Sequence, residues 1–193
     1  MPEHYPDHTL TSLKDTLSSK RFSGAGETVD AAVALLLCPS DSDLNLLLIH
    51  RAERADDPWS GQIGLPGGRV SRSDSSTRSA LRREVIEEIG VDLDEKSEEL
   101  GTLSIGSPMR RLDMRVQPWV YRLTNRPEIT TGPEVQEAFW VSVFKLPSLQ
   151  TATEIEIRGI RRDVDAFLVD GRVVWGYTHR VLKELLSVLN PDN

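Results

Sequence analysis

The segment from Ser76 to Ile89 carries three glutamates near its carboxyl end, and this placement constrains the fold more than any other feature. The segment favours one helix ended by Gly90, because glycine commonly follows the last helical turn. Glu84, Glu87 and Glu88 are three and four residues apart, so a helix brings their repelling carboxylates onto one face. They also lie where the helix dipole presents partial negative charge. A bound divalent cation would reverse both penalties.

The three glutamates belong to a longer pattern. Gly68 is followed after five residues by Asp74 and, after eight more, by a charged and apolar run. That run consists of Arg83, Glu84, Val85, Ile86, Glu87, Glu88, Ile89, Gly90 and Val91. The pattern resembles the Nudix hydrolase signature, a glycine and an acidic residue followed by Arg-Glu-apolar-x-Glu-Glu-x-Gly-apolar. Two departures are that Asp74 replaces the usual glutamate and that one extra residue precedes Arg83.

The resemblance covers most of the chain and implies an α/β fold. It implies an α/β/α sandwich, in which helices cover both faces of a mixed sheet, and the order of strands and helices is compatible with it. We expect a Nudix hydrolase domain at residues 28–190, preceded by an N-terminal extension at residues 1–27. The extension would contain a short helix, Leu10 to Lys20, with leucines at helical spacing.

Apolar runs bounded by turn residues predict the strands. They are expected at Thr28–Leu37, Asn45–Arg51, Ile63–Leu65, Leu100–Ile105, Arg115–Leu123, Ala138–Val143, Val164–Val169 and Arg172–Trp175. Asp170 and Gly171 form a two-residue hairpin signal between the last two strands. A final helix is expected at Tyr177–Leu189.

The residue types suit hydrolysis of a phosphoanhydride, which requires neutralised phosphate charge and an activated water. Hard carboxylate oxygens suit Mg²⁺ or Mn²⁺. We expect Glu84 and Glu88 to be the principal metal ligands, with Glu87 as a third ligand or as the partner of a second ion. One of these glutamates, such as Glu87 or Glu88, could also be the catalytic base. In the family a glutamate of a distant loop can fill that role, and Glu134 and Glu137 are the candidates here.

Several of these residues also have a structural interpretation. Glu87 could pair with Arg83 four residues earlier on an exposed helix face. The resemblance implies that Arg83 is bound to the first acidic residue of the motif, Asp74, which could also cap the helix. Gly67 and Gly68 are either turn glycines or positions where the backbone approaches a substrate phosphate or metal-bound water.

Three further segments resemble the coenzyme A pyrophosphatase branch of the family: Leu47–Ala52, Gly61–Gly68 and Val173–Leu182. The match is partial, because the linker after Arg51 is one residue too long and Leu65 replaces a phenylalanine. The resemblance implies hydrolysis of a nucleoside diphosphate derivative, with coenzyme A or its thioesters as the leading substrate. ADP-ribose, dinucleotides and nucleoside triphosphates are alternatives, and a catalytically silent module that senses a nucleotide is another.

Arginines near the glycine pair are candidates for binding the substrate. Arg51 and Arg69 have the strongest case, because guanidinium groups match phosphate oxygens in pairs.

The net charge of −7 argues against a nucleic-acid partner. The apolar run Ala31 to Cys38 is far shorter than the roughly 20 residues that cross a bilayer. With no signal peptide recognisable and one cysteine, we expect a cytoplasmic protein; a homodimer is an alternative, since dimers are common in the family.

Overall fold

The leucine-rich and alanine-rich runs form the central strands of a computed structural model, which describes residues 5–19, 28–54, 59–157 and 159–190. The helices of these ranges are α1 (Tyr5–Ser19), α2 (Thr77–Ile89), α3 (Leu93–Lys96), α4 (Gly176–Leu189) and a 3₁₀ helix (Val143–Leu149). The strands are β1 (Ala31–Pro39), β2 (Leu44–Arg51), β3 (Ile63–Gly64), β4 (Gly67–Arg69), β5 (Ser97–Thr102), β6 (Val116–Leu123), β7 (Val135–Ser142), β8 (Gln150–Ile157), β9 (Ile160–Val169) and β10 (Arg172–Trp175).

Strand β1 is the central strand of a seven-stranded mixed sheet. It runs parallel to β6 and antiparallel to β2 and β4. Nearly all its side chains are buried, as expected for a strand covered on both faces. A second sheet of three antiparallel strands, ordered β10, β9 and β8, completes the strand arrangement of the described residues.

The side chains of β1 divide the core into two layers, because successive residues of a strand point to opposite faces. Ala32, Ala34 and Leu36 pack with α2, whereas Leu35 and Leu37 pack with α1, α4 and the second sheet. Helices therefore cover both faces of the sheet, and the predicted α/β/α sandwich with a mixed sheet is confirmed. Across the described ranges, no helix has both the length and the apolar character needed to span a membrane.

Strands β1 and β2 pair only over Leu37–Pro39 and then separate. Residues 63–69 occupy the gap, with β3 paired to β2 and β4 paired to β1 at Ala31–Val33. The backbone N–H of Ala34 also donates to the Pro66 carbonyl at 2.8 Å. This insertion places Gly67 and Gly68 beside α2, which packs on β1 and β4.

Several element boundaries differ from the prediction. Strand β5 begins at Ser97 rather than Leu100, and β7 begins at Val135 rather than Ala138. Strand β8 was not predicted, because its threonines and glutamates give no apolar run. Antiparallel pairing with β9 along its whole length stabilises it instead. Helix α1 is longer at its amino end than predicted, whereas Lys20 and the expected boundary of the extension near residue 27 lie outside the described residues.

Gly67 provides a test of the close packing between β4 and β1. Its φ is +136°, and a Cβ there would overlap the Ala32 carbonyl oxygen and stand 2.7 Å from the Val33 Cα. We expect Gly67→Ala to lower the free energy of unfolding in urea by about 3 kcal/mol or more. Gly171→Ala is the control, because Gly171 has a φ of +79° but no atom within 4 Å of its Cβ position.

The control isolates backbone strain and should cost about 1 to 2 kcal/mol. Equal losses of stability in the two variants would contradict the close packing at Gly67.

Candidate functional site

Helix α2 has the ends that its sequence predicts. The Ser76 hydroxyl accepts a hydrogen bond from the Ser79 backbone, and the Ser79 hydroxyl accepts one from the Ser76 backbone. This reciprocal capping satisfies two amino-terminal donors. Gly90 adopts a left-handed conformation with φ of +70°, and its N–H donates to the Ile86 carbonyl at 2.9 Å. The helix therefore ends where Glu87 and Glu88 complete its last turn.

Glu88 is a buried carboxylate at the centre of the site, only 4% exposed. Its Oε2 accepts a hydrogen bond from the Gly67 N–H at 2.7 Å, and its Oε1 accepts one from Arg51 Nη1 at 3.3 Å. Burial raises the pKa of Glu88 to about 7, although these two donors oppose the shift. The nearby carboxylates of Glu84 and Glu134 act in the same direction as burial. Glu88 therefore has a carboxyl group that titrates near neutral pH.

Glu84 lies one turn earlier and faces Gly68. A Cβ on Gly68 would stand 2.8 Å from the Glu84 Oε1 and closer still to the rest of the carboxylate. Gly68 is therefore required for this close approach of backbone and side chain. Burial raises the pKa of Glu84, whereas a hydrogen bond from Arg83 Nη1 at 2.8 Å lowers it.

Arg83 binds the first acidic residue of the motif, as the resemblance implies. Its Nε and Nη2 donate to the two carboxylate oxygens of Asp74 at 3.1 and 3.0 Å, and Nη2 also donates to the Arg69 carbonyl. These hydrogen bonds hold the pKa of Asp74 well below its usual range. Asp74 does not cap α2, because Ser76 occupies that position. Asp74 and Arg83 thus fix the segment between the glycine pair and the helix.

Glu87 is far more exposed than the partly buried Glu84 and the buried Glu88. Its side chain is 59% exposed, and its Oε2 accepts a hydrogen bond from Arg83 Nη1 at 3.2 Å. Glu87 therefore pairs with Arg83, as the structural interpretation expected. The role of Glu87 as a metal ligand stays a prediction. In the part of the chain that the structure describes, no three His, Cys, Asp or Glu side chains are already grouped as a metal site.

Glu137, which was expected in the loop before β7, lies within that strand and does not reach the carboxylates of α2. In the pairing of β2 with β7, His50 lies opposite Glu137 and Ile49 lies opposite Ala138. Ile49 and Ala138 pack in the layer beneath α2, so Glu137 points to the other face of the sheet. There Arg172 of β10 donates to both oxygens of its carboxylate at 2.9 and 2.8 Å. Because β7 begins before Glu137, this residue is part of the strand and not of the preceding loop.

Glu134, the other candidate in that region, lies in the loop before β7 and on the side of α2. Its Oε1 accepts a hydrogen bond from Arg54 Nη1 at 2.8 Å, and its Oε2 is 3.9 Å from Arg51 Nη2. Its charge contributes to the raised pKa values of Glu84 and Glu88. The structure therefore groups Glu134 with Glu84 and Glu88.

The predicted substrate arginines differ in their surroundings. Arg51 lies between Glu88 and Glu134, so its guanidinium is within the candidate site. The side chain of Arg69 is exposed beside the glycine pair.

Gly132 was not predicted as a residue of the site, although its N–H donates to the Glu88 carbonyl at 2.9 Å. The Gly132-Pro133 pair signals a turn but not the helix against which that turn packs.

A family model supports the assignment that the geometry favours. Residues 28–163 match the model for the NUDIX domain. The chain belongs to the Nudix family, and the family predicted from the sequence is confirmed.

Three curated proteins are similar to the chain. Nudix hydrolase 3 of Caenorhabditis elegans is 28% identical, with 95% of this chain and 82% of that protein covered. The probable nudix hydrolase C6G9.05 of Schizosaccharomyces pombe is 30% identical, with 93% of this chain and 60% of that protein covered. The uncharacterized protein C14C4.10c of the same yeast is 48% identical over 48 residues, 25% of this chain. The chain spans less than two thirds of both yeast proteins, the latter match covering 15% of its relative.

A solved structure shares the fold. The MutT/nudix family protein from Enterococcus faecalis superposes with a TM-score of 0.51 at 22% identity, covering 85% of this chain and 63% of that one. At this level of identity the likeness concerns the fold alone.

Nudix hydrolases generally use divalent metal ions, and the residues at the end of α2 fit such an ion. Glu84 and Glu88 supply the hard oxygen donors that Mg²⁺ and Mn²⁺ prefer. Burial disfavours the charged form of both carboxylates, so a nearby cation would stabilise them. The absence of a side chain at Gly68 leaves backbone close to the Glu84 carboxylate. A bound cation would thus supply the positive charge that stabilises these two carboxylates in their ionised form.

The raised pKa of Glu88 predicts a pH-dependent stability in the presence of a chelator. A carboxyl group whose pKa rises from 4.5 to about 7 on folding favours the fold when protonated, so its ionisation destabilises the protein as pH rises through that window. We expect Glu88→Gln to gain stability relative to the parent between pH 5 and pH 8, by up to about 3 kcal/mol. Urea unfolding at the two pH values measures this gain.

Glu95→Gln is the control, because it removes one negative charge at an exposed position of α3. If Glu88→Gln differed in stability from the parent by the same amount at pH 5 and pH 8, the raised pKa of Glu88 would be ruled out.

Proposed function

We propose that the protein is a metal-dependent pyrophosphohydrolase that splits the phosphoanhydride bond of a nucleoside diphosphate derivative. The observation that carries this proposal is the pair of desolvated carboxylates, Glu84 and Glu88, held against the backbone of Gly67 and Gly68. Each of these carboxylates accepts a hydrogen bond from one arginine, but burial still raises both pKa values, so a bound divalent cation would stabilise their charged forms further. The proposal therefore accounts for an arrangement that stability alone would not favour.

Glu84 and Glu88 are the proposed ligands of Mg²⁺ or Mn²⁺, and exposed Glu87 is an additional donor on the same helix. Such an ion, when bound, supplies positive charge where the phosphate oxygens become more negative during the reaction. Arg51 lies between Glu88 and Glu134, where its guanidinium can bind a substrate phosphate. Arg69 is a second phosphate ligand in this proposal, because its exposed side chain follows the glycine pair.

Glu134 is the proposed general base, in place of Glu137. Its carboxylate is on the side of α2 and half exposed, so a water molecule can reach it. In the hydrolysis, the oxygen of that water attacks phosphorus and the bond from phosphorus to the bridging oxygen breaks. The water proton passes to Glu134, and the leaving phosphate departs as an anion. Arg54 fixes the Glu134 carboxylate through the 2.8 Å hydrogen bond.

Coenzyme A or one of its thioesters is the substrate that we propose. Support comes from the three segments that resemble the coenzyme A pyrophosphatase branch, Leu47–Ala52, Gly61–Gly68 and Val173–Leu182. In the structure the first two form β2 and the segment that fills the gap between β1 and β2. They therefore adjoin Glu84 and Glu88, the carboxylates that the proposed chemistry requires.

A panel of nucleotide anhydrides tests the substrate. With Mg²⁺ or Mn²⁺, we expect coenzyme A to be converted into 4′-phosphopantetheine and 3′,5′-ADP, measured by chromatography. The panel includes ADP-ribose, dinucleotides and nucleoside triphosphates. Faster turnover of one of these would overturn the proposed substrate but support the hydrolase. Binding of a nucleotide without turnover of any compound would overturn the hydrolase and favour a sensing module.

Single substitutions on α2 test the proposed ligands. We expect Glu84→Gln and Glu88→Gln to lower kcat by roughly 100-fold or more, because charge stabilisation in the transition state is lost. The circular dichroism spectrum should be unchanged. Glu95→Gln removes an exposed carboxylate and should retain the kcat of the parent. Near-normal turnover in Glu88→Gln would exclude Glu88 as a ligand.

A further inference from the structure

The loop that carries Glu134 is bound through its backbone to the carboxyl end of α2. The N–H of Thr130 donates to the Ile89 carbonyl at 3.1 Å, and the N–H of Gly132 donates to the Glu88 carbonyl at 2.9 Å. These carbonyls belong to the last turn, where a helix has no partners of its own for them. The loop thus caps the helix at the residue whose side chain is the buried carboxylate.

Gly132 makes this contact possible because it has no side chain. A Cβ at this position would overlap the Glu87 carbonyl oxygen and stand 3.1 Å from its carbonyl carbon. It would also lie 3.6 Å from the Glu88 Cα. All three atoms belong to helical backbone, which cannot rotate away as a flexible side chain would. Any larger residue must therefore move the loop away from α2.

A displacement at Gly132 reaches Glu134 because the connection is short and stiff. Pro133 lies between them, and its ring fixes the backbone φ. On the other side, the Ala52 N–H donates to the Glu134 carbonyl at 2.9 Å, and Arg54 holds its carboxylate. The position of Glu134 is thus determined by contacts on two sides, with the end of α2 through Gly132 and with the residues that follow β2.

We infer that Gly132 is a positioning residue, whose close contact with the last turn of α2 sets the location of the Glu134 carboxylate relative to Glu84 and Glu88. The inference rests on the proposed hydrolase function and deepens it. Misplacing a reacting group by about 1 Å can cost on the order of 100-fold in rate. Gly132 would therefore affect turnover through Glu134 without contacting the substrate.

A double-mutant cycle on Gly132→Ala and Glu134→Gln tests the inference, with coenzyme A or the best substrate of the panel. We expect Gly132→Ala to lower kcat by roughly 10-fold to 100-fold, with little change in KM. In the Glu134→Gln background the same substitution should have almost no further effect, because both changes remove one function. Thr131→Ala, which trims an exposed side chain of the same loop, is the control.

Mn²⁺ affinity, measured by calorimetry without substrate, separates positioning from damage to the helix. Glu84 and Glu88 stay in place if only the loop moves, so Gly132→Ala should bind Mn²⁺ within about threefold of the parent. A loss of affinity as large as the loss of kcat would overturn the inference, because Gly132 would then act through the helix end. Multiplicative losses of kcat in the cycle, or normal kcat in Glu134→Gln, would also overturn it.

Pro133→Ala keeps the inference testable if Gly132→Ala does not fold. This substitution leaves Gly132 against α2 but loosens its connection to Glu134. We expect a several-fold lower kcat at unchanged KM, and an unchanged kcat would contradict the inference. An inactive parent protein would instead contradict the proposed function, so the two failures are distinguishable.

Discussion

The buried carboxylate of Glu88 is the interaction on which the candidate site depends. Its oxygens accept hydrogen bonds from the Gly67 backbone and from Arg51, so one side chain joins α2 to β4 and β2. Removing an ionised carboxylate from water costs several kcal/mol, roughly, even after relaxation of the surroundings. The fold accepts this cost at a helix end that already carries partial negative charge. Such an arrangement is unfavourable for stability and favourable for holding a cation.

The separation of β1 from β2 gives Glu88 its partners. A sheet with these two strands fully paired would leave no room for the glycine pair beside α2. Residues 63–69 instead take the hydrogen bonds that each strand lacks after the separation. Gly67 and Gly68 are needed there for different reasons, because Gly67 is pressed against β1 and Gly68 against Glu84. The motif glycines are therefore fixed by packing before any substrate contact is considered.

The local features of the sequence predicted the structure well, and the non-local ones did not. Gly90 correctly predicted the end of α2, because a helix end is a local signal, and the resemblance to the Nudix signature implied the ion pair of Asp74 and Arg83 that the structure contains. Helical spacing could not show that Glu87 is exposed while Glu88 is buried, since this depends on what packs against each face. Glu137 was expected in the loop before β7, but the strand begins at Val135 and its pairing with β2 puts Glu137 on the face opposite to α2.

The two-sided pairing of residues 63–69 also fixes the length of the chain there. One residue inserted between Gly64 and Gly67 would either bulge outward or exchange the faces of β4, turning away the N–H that Glu88 accepts. After the glycine pair the constraint relaxes. The extra residue before Arg83, relative to the family signature, still allows Arg83 to reach Asp74, which lies in the non-helical segment before α2. One added residue is thus accommodated downstream of these glycines, whereas one added immediately upstream would disturb the site.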